Sequence, residues 1–221
     1  RGACDVKGGM AAMLAAAAQL SEKYPGNEAT LILAFAVNEE CGFTGATALN
    51  RLWDAEVPIK EIGKCSGPLE VEELRASKPQ AAIVAEPTSL NVVVAHQGVV
   101  RWKCRTLGRA AHTSRPDEGV NAIYAMTHVI QAVERYHKEV LLQQDAHPRC
   151  GRPSVSVSTI HGGTGVNTVP DEVVVDIDRR LGIGESAQEA YQSLITWIES
   201  NVPSVGAQIV HEQPWLTSGT L

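Results

Sequence analysis

The chain has no uninterrupted apolar stretch near the roughly 20 residues that a membrane-spanning helix needs. Its longest alanine-rich segment, residues 10–20, is bounded by Lys7 on one side and by Glu22 and Lys23 on the other, which reads as a packed helix and not an anchor. Positive charge is in deficit, because 19 lysines and arginines face 25 acids for a net charge of -6. Nucleic acid and anionic membranes do not reward an acidic surface, so a small solute is the expected partner. The five cysteines show no CxxC or CxxH spacing, which argues against a zinc-finger or disulfide framework and fits reduced thiols in a cytoplasmic protein. Cys4 and Cys41 each stand close to a carboxylate and read as buried apolar filler rather than ligands. Internal repeats and low-complexity tracts are missing, and no cleavable signal peptide is expected. The chain opens on Arg1 instead of Met and closes on Ser218-Gly219-Thr220-Leu221 without a finishing element, so both ends are expected to be cuts in a longer chain.

What is present is ordinary for a folded protein. A length of 221 residues, 44% of them hydrophobic and 20% charged, suffices for two small domains, each with its own core. Residues 8–24 carry good helix formers and stop at Pro25-Gly26, and residues 30–37 then form an almost continuous apolar run, the pattern of a buried parallel strand. A turn and helix follow over residues 42–54, and residues 81–85 predict another short buried strand. These alternations predict an α/β layer. From Asn91 the texture changes. Residues 92–95 and 99–107 read as extended, residues 119–138 as a helix, and a Pro/Gly-rich break covers residues 148–153. Strand 154–160, a turn at Gly162-Gly163, strand 172–180, helix 186–201 and strand 207–212 complete the order β-α-β-β-α-β of a ferredoxin-like split βαβ module. The expected division is 1–93, 94–212 and a return segment 213–221.

Acidic residues sit where chemistry is usual in open α/β sheets, at the ends of expected strands. Asp5 precedes Lys7-Gly8-Gly9 and fits either a first-turn helix acid or a ligand. Glu39 and Glu40 directly follow the run 31–37; two adjacent like charges on a rigid element call for a cation or a shared proton. Neighbouring side chains leaving a strand end diverge, so one can bind metal while the other faces an attacking water. Glu86 ends the second short apolar run, with Pro87 fixing the backbone after it. Carboxylates suit hard or borderline divalent ions, but zinc normally takes nitrogen or sulfur as well, and no histidine lies near these acids in sequence. Some ligands therefore fold back from afar or lie outside the chain.

Taken together, Arg1-Gly2-Ala3-Cys4-Asp5-Val6-Lys7-Gly8-Gly9, Asn38-Glu39-Glu40-Cys41-Gly42 and Glu86-Pro87-Thr88 closely resemble a family of di-zinc metallohydrolases: acetylornithine deacetylase, succinyl-diaminopimelate desuccinylase, aminoacylase and glutamate-releasing carboxypeptidase. The likeness continues in the family's order through Ala95-His96-Gln97-Gly98, Gly108-Arg109-Ala110-Ala111-His112-Thr113-Ser114-Arg115-Pro116, Gly119-Val120-Asn121-Ala122-Ile123, Gly162-Gly163, Asn167-Thr168-Val169-Pro170 and Asp178-Arg179-Arg180. It covers nearly the whole chain. With Glu at position 86 followed by Pro87-Thr88, the deacetylase and desuccinylase branch is nearest. Ile183 stands where the family usually has proline, a departure that touches only a turn.

The resemblance implies an α/β fold: part of a phosphorylase/hydrolase-like zinc-peptidase catalytic domain, with an inserted ferredoxin-like lid that forms a homodimer. It implies two divalent ions, zinc or alternatively cobalt or manganese, bridged by Asp5, with Glu40 on one and Glu86 on the other. Glu39 is then the general base for a metal-activated water that cleaves the amide bond of an N-acyl amino acid. His112 reaches into the partner subunit's site to stabilise the oxyanion, and Asn167 and Arg180 hold the substrate's carboxylate, while Arg179 faces the other side of its strand. The family's two histidine ligands match no position here. His96 is read as structural, and His128, His137, His147, His161 and His211 are not ligands, so the chain alone is expected to bind metal poorly. The alternatives are a carboxypeptidase or dipeptidase of the same family, or an inert dimerisation and ligand-binding piece.

Overall fold

The computed structural model describes residues 2–26, 30–40, 42–58 and 71–220. The chain divides into two compact units, residues 1–92 and 93–221. Together they make a mixed α/β protein with one main sheet.

The second unit follows the sequence pattern closely. Strand β1 (Val99–Leu107) alternates buried and half-buried residues, sending Val100, Trp102, Cys104 and Thr106 to one face and Arg101, Lys103 and Arg105 to the other. Strands β3 (Ser154–Gly162), β5 (Glu172–Arg180) and β6 (Gln208–His211) join it in the order β3-β5-β1-β6, every neighbouring pair antiparallel. A short β7 (Leu216–Ser218) also pairs with β1, alongside residues 99–101. Helix α4 (Ala122–Glu139) starts where the Asn121 side chain accepts from the Ile123 and Tyr124 main-chain N–H groups. Its apolar residues recur every three or four positions, and Ala122, Ala125, Met126, Val129, Ala132, Val133 and Tyr136 are buried. Helix α5 (Ala187–Asn201) is capped by Ser186 and buries Ala190, Tyr191, Leu194, Ile195 and Ile198. Both helices pack on the face carrying Val100, Trp102, Val175 and Ile177, which forms the core. The opposite face is laid with ion pairs: Arg101 to Asp178 at 2.6 Å, Lys103 to Asp176 at 2.8 Å and Arg105 to Glu172 at 2.6 Å.

Two polar groups besides Thr106 lie on the core side of this sheet. Arg179 is fully buried and pairs with Glu185 at 2.5 Å, while Glu185 also accepts from the Gly182 main-chain N–H. Arg179 thus faces the helices and Arg180 the other side, as strand alternation requires. His211 Nδ1 accepts from the Trp102 indole N–H at 3.2 Å, and burial lowers its pKa from 6.5 to about 4. The unfolded imidazole therefore takes up a proton first as pH falls, so stability held at neutral pH is lost between pH 6.5 and 4. The loss amounts to about 3 kcal/mol. Denaturant titrations across that window should show it, and His211→Gln, which keeps an acceptor for the indole, should flatten that part of the profile.

The first unit holds helices α1 (Gly9–Lys23), α2 (Thr44–Leu52) and α3 (Val71–Ala76). Several sequence expectations fail here. Among the described residues, neither 31–37 nor 81–85 enters a strand ladder, and Ile83 is 90% and Val37 70% exposed. An apolar run becomes a parallel strand only where neighbours supply hydrogen-bond partners and helices cover both faces, and no described segment does so. The extended stretch 92–95 is likewise unpaired. Helix α1 forms but buries no residue, so it is not the packed helix its composition suggests. Cys4 is exposed, not buried filler; Cys41 and Cys65 lie outside the described residues. No helix among the described residues is long and apolar enough to cross a membrane.

Candidate functional site

In the first unit three of the four acids come into one electrostatic field. Asp5 lies in the irregular turn Cys4–Gly8 that leads into α1. A side chain at Gly9 would stand 3.0 Å from the Ala85 Cβ and 3.1 Å from its carbonyl oxygen. Glycine at this position therefore lets the start of α1 lie against Ala85, immediately before Glu86. Glu39 and Glu40 occupy an exposed turn after residues 31–37, entered through Asn38 with φ of 61° and closed by the Phe43 N–H to Asn38 carbonyl bond at 2.9 Å. Asn38 also donates to the Thr44 hydroxyl at 3.1 Å, which ties the turn to the start of α2. Partial burial, then the charges of Glu39 and Asp5, hold the Glu86 carboxyl above the usual range. Glu40 is exposed beside Glu39.

That field is not a finished metal site. Among the described residues, no group of three or more His, Cys, Asp or Glu side chains is placed to hold a metal ion. The donors that do approach one another are carboxylates only, whereas zinc normally takes nitrogen or sulfur too. The acids among the described residues do not by themselves fit a two-metal centre.

In the second unit the segment bearing His112 is rigidly mounted. A side chain on Gly108 would stand 2.1 Å from the Val120 carbonyl oxygen, so only glycine permits the Arg109 to Val120 bridge, with main-chain bonds of 3.0 and 2.8 Å. Strand β2 (Ala111–His112) then pairs with β4 (Thr168–Val169), His112 opposite Thr168. The Thr113 N–H donates to the Asn167 carbonyl at 3.0 Å, bringing His112 and Asn167 into one exposed ribbon. The His112 Nδ1 lies 2.8 Å from the Ser114 hydroxyl and accepts from the Ser114 main-chain N–H at 3.2 Å. The sequence pattern gives Ser114 no part, although a hydroxyl two residues after a histidine is within reach of its ring. Beside this ribbon lies an open cavity of about 820 Å³ bordered by Thr113, Asp117, Tyr124, Val169 and Pro170.

Arg180 lies elsewhere. It ends β5, whereas Asn167 precedes β4 at the other end, a span of roughly 25 Å over the strand. Its guanidinium is engaged by Asp178, Nε to Oδ1 at 2.7 Å, and Asp178 also receives Arg101. The Asp-x-Arg spacing that puts both groups on one strand face was the available signal for this pair.

The model of the M20 peptidase dimerisation domain matches residues 94–205. A protein of Aspergillus clavatus named as a probable carboxypeptidase is 32% identical over 199 residues, 89% of this chain and 42% of that one. The acetylornithine deacetylase of Buchnera aphidicola is 33% identical over 108 residues, 47% of this chain and 27% of that one. A hydantoinase/carbamoylase family amidase from Burkholderia ambifaria superimposes with a TM-score of 0.47 at 18% identity, over 58% of this chain and 30% of that one. The chain thus spans less than half the length of these relatives. By the match across half of its residues, it belongs to the family of the M20 peptidase dimerisation domain.

Proposed function

We propose that the whole protein is a metal-dependent amidohydrolase that cleaves the amide bond of an N-acyl amino acid of the acetylornithine or succinyl-diaminopimelate type. The observation that supports this reading is the Glu86 carboxyl, held above its usual range by partial burial and then by the charges of Glu39 and Asp5 from two other segments. Like charges gathered at one place are costly without a cation to balance them. The relative named as an acetylornithine deacetylase supports it. Asp5, Glu40 and Glu86 would be carboxylate ligands whose set is completed by the rest of the protein. The division into a catalytic part, 1–93, a lid and dimerisation part, 94–212, and a return segment, 213–221, belongs to the same proposal.

The chain's own residues then have definite tasks. Glu39 accepts the proton of the attacking water and returns it to the leaving amine. His112 donates to the oxygen on which negative charge develops. Asn167 shares the His112 ribbon and so serves the same site, which on this reading belongs to the partner subunit of a homodimer. Arg180, a strand length away, serves its own subunit's site, where the substrate carboxylate competes with Asp178 for the guanidinium fork.

Coverage favours a second reading, since the carboxypeptidase relative matches 89% of the chain and the deacetylase 47%. Steady-state assays of the whole protein should separate the two. We expect kcat/KM for N-acetylornithine or N-succinyl-diaminopimelate to exceed that for dipeptides by at least about tenfold, within the range that pocket contacts deliver. The reverse ratio would assign the protein to the peptidases. Absence of hydrolysis on both substrate classes would leave only a dimerisation and ligand-binding role.

A further inference from the structure

The ring of His112 is held by one residue through two contacts, and the direction of one of them is fixed. A main-chain N–H can only donate. When the Ser114 N–H points at the His112 Nδ1 at 3.2 Å, that nitrogen must be the lone-pair side of the neutral ring. The Ser114 hydroxyl, 2.8 Å from the same nitrogen, can rotate to donate as well. The ring proton therefore sits on Nε2, for which no partner is present among the described residues. The main chain around it has little freedom left. His112 faces Thr168 in the β2–β4 ladder, Thr113 donates to Asn167, and the Arg115 N–H closes a turn onto the His112 carbonyl at 2.9 Å. What remains adjustable is the imidazole itself, its rotation and its tautomer, and Ser114 restrains both.

We infer that Ser114 is a positioning residue which locks His112 as its Nε2–H tautomer, so that the ring presents a hydrogen-bond donor from the tip of the β2–β4 ribbon. This rests on the proposed oxyanion role of His112 for its functional meaning, but not for its structural content. An oxyanion needs a donor already pointing at it, and a ring free to exchange tautomers spends part of its time presenting a lone pair instead. Thr168 and Asn167 fix where the histidine stands; Ser114 fixes which nitrogen carries the proton.

The test reads the tautomer directly. Nitrogen-15 histidine spectra of the 221-residue chain, recorded at alkaline pH and assigned with His112→Gln, should show His112 predominantly as Nε2–H. Ser114→Ala keeps the main-chain donor and removes the hydroxyl; it should lower the ratio of Nε2–H to Nδ1–H forms by about fivefold, the worth of one ordinary hydrogen bond. Ser114→Thr should restore it. A dominant Nδ1–H form in the unaltered chain, or an unchanged ratio in Ser114→Ala, would overturn the inference. In the whole enzyme Ser114→Ala should reduce kcat with KM little altered. A tautomer shift with unaltered kcat would uphold the positioning role and remove His112 from the oxyanion instead.

Discussion

Glu39→Ala in the whole protein should lower kcat by about a thousandfold, within the range set by loss of a positioned general base, while bound metal stays at its original level. The expectation follows from where the side chain sits. Glu39 lies on a turn anchored from both sides, by the Phe43 N–H to the Asn38 carbonyl and by the Gly45 N–H to the Val37 carbonyl at 3.1 Å. Its charge contributes to raising the Glu86 carboxyl, which puts it within electrostatic reach of the proposed site. Glu40→Ala is the contrasting variant, since loss of a ligand should deplete metal, measured by mass spectrometry of the desalted protein, before it changes the chemistry. If Glu39→Ala strips metal and Glu40→Ala does not, the two roles are exchanged. If Glu39→Ala retains kcat, no base function is left for it. A fall in kcat and kcat/KM together is the signature of an interaction made only in the transition state.

How far the sequence could be read depended on whether each segment finds its partners inside the chain. β1 and β5 were legible almost residue for residue because their two-residue alternation is answered locally. Val99 pairs with Arg180 and Leu107 with Glu172, and α4 and α5 cover one face. Periodicity is enough when both halves of a contact are present. Residues 31–37 and 81–85 have the composition of buried strands and are exposed, since composition records what a segment can bury and not what is available to bury it. The exposed α1 carries the same lesson for helices. On the reading proposed above, those apolar runs pack against parts of the whole protein that lie beyond these 221 residues.

Within the site, position after an apolar run singled out Glu39, Glu40 and Glu86, whereas Asp5, set before Lys7-Gly8-Gly9, read equally as a first-turn helix acid until the resemblance gave it a role; that the charges of Glu39 and Asp5 raise the Glu86 carboxyl is something sequence could only suggest. The Asp178 clasp on Arg180 and the Ser114 bonds to His112 were permitted by spacing but not fixed by it, for a different reason. Both are short-range side-chain contacts whose existence depends on rotamers, and spacing alone allows them without requiring them. Arg179 and Arg180 show the complement: strand alternation assigns their opposite faces without any knowledge of their partners.

His112→Ala should cost about a hundredfold in kcat, the lower end for removal of one oxyanion donor, and should leave the proposed dimer's sedimentation unchanged, because the ring is exposed and its ribbon is held by main-chain bonds. The subunit that His112 serves can be read from mixtures. If it works across a dimer, a His112→Ala chain offers a sound Glu39 and lacks only the donor, while a Glu39→Ala chain supplies a sound His112. Combining the two nearly inactive variants in equal amounts, with subunit exchange, should then regenerate about a quarter of the original activity, because half of the dimers are mixed and one of their two sites is whole. Should His112 serve its own subunit, no combination restores a complete site, and the mixture stays as slow as the average of its components. Complementation thus places the donor in one subunit or the other, and it does so whatever acyl group the enzyme prefers, since only the pairing of Glu39 with His112 is being counted.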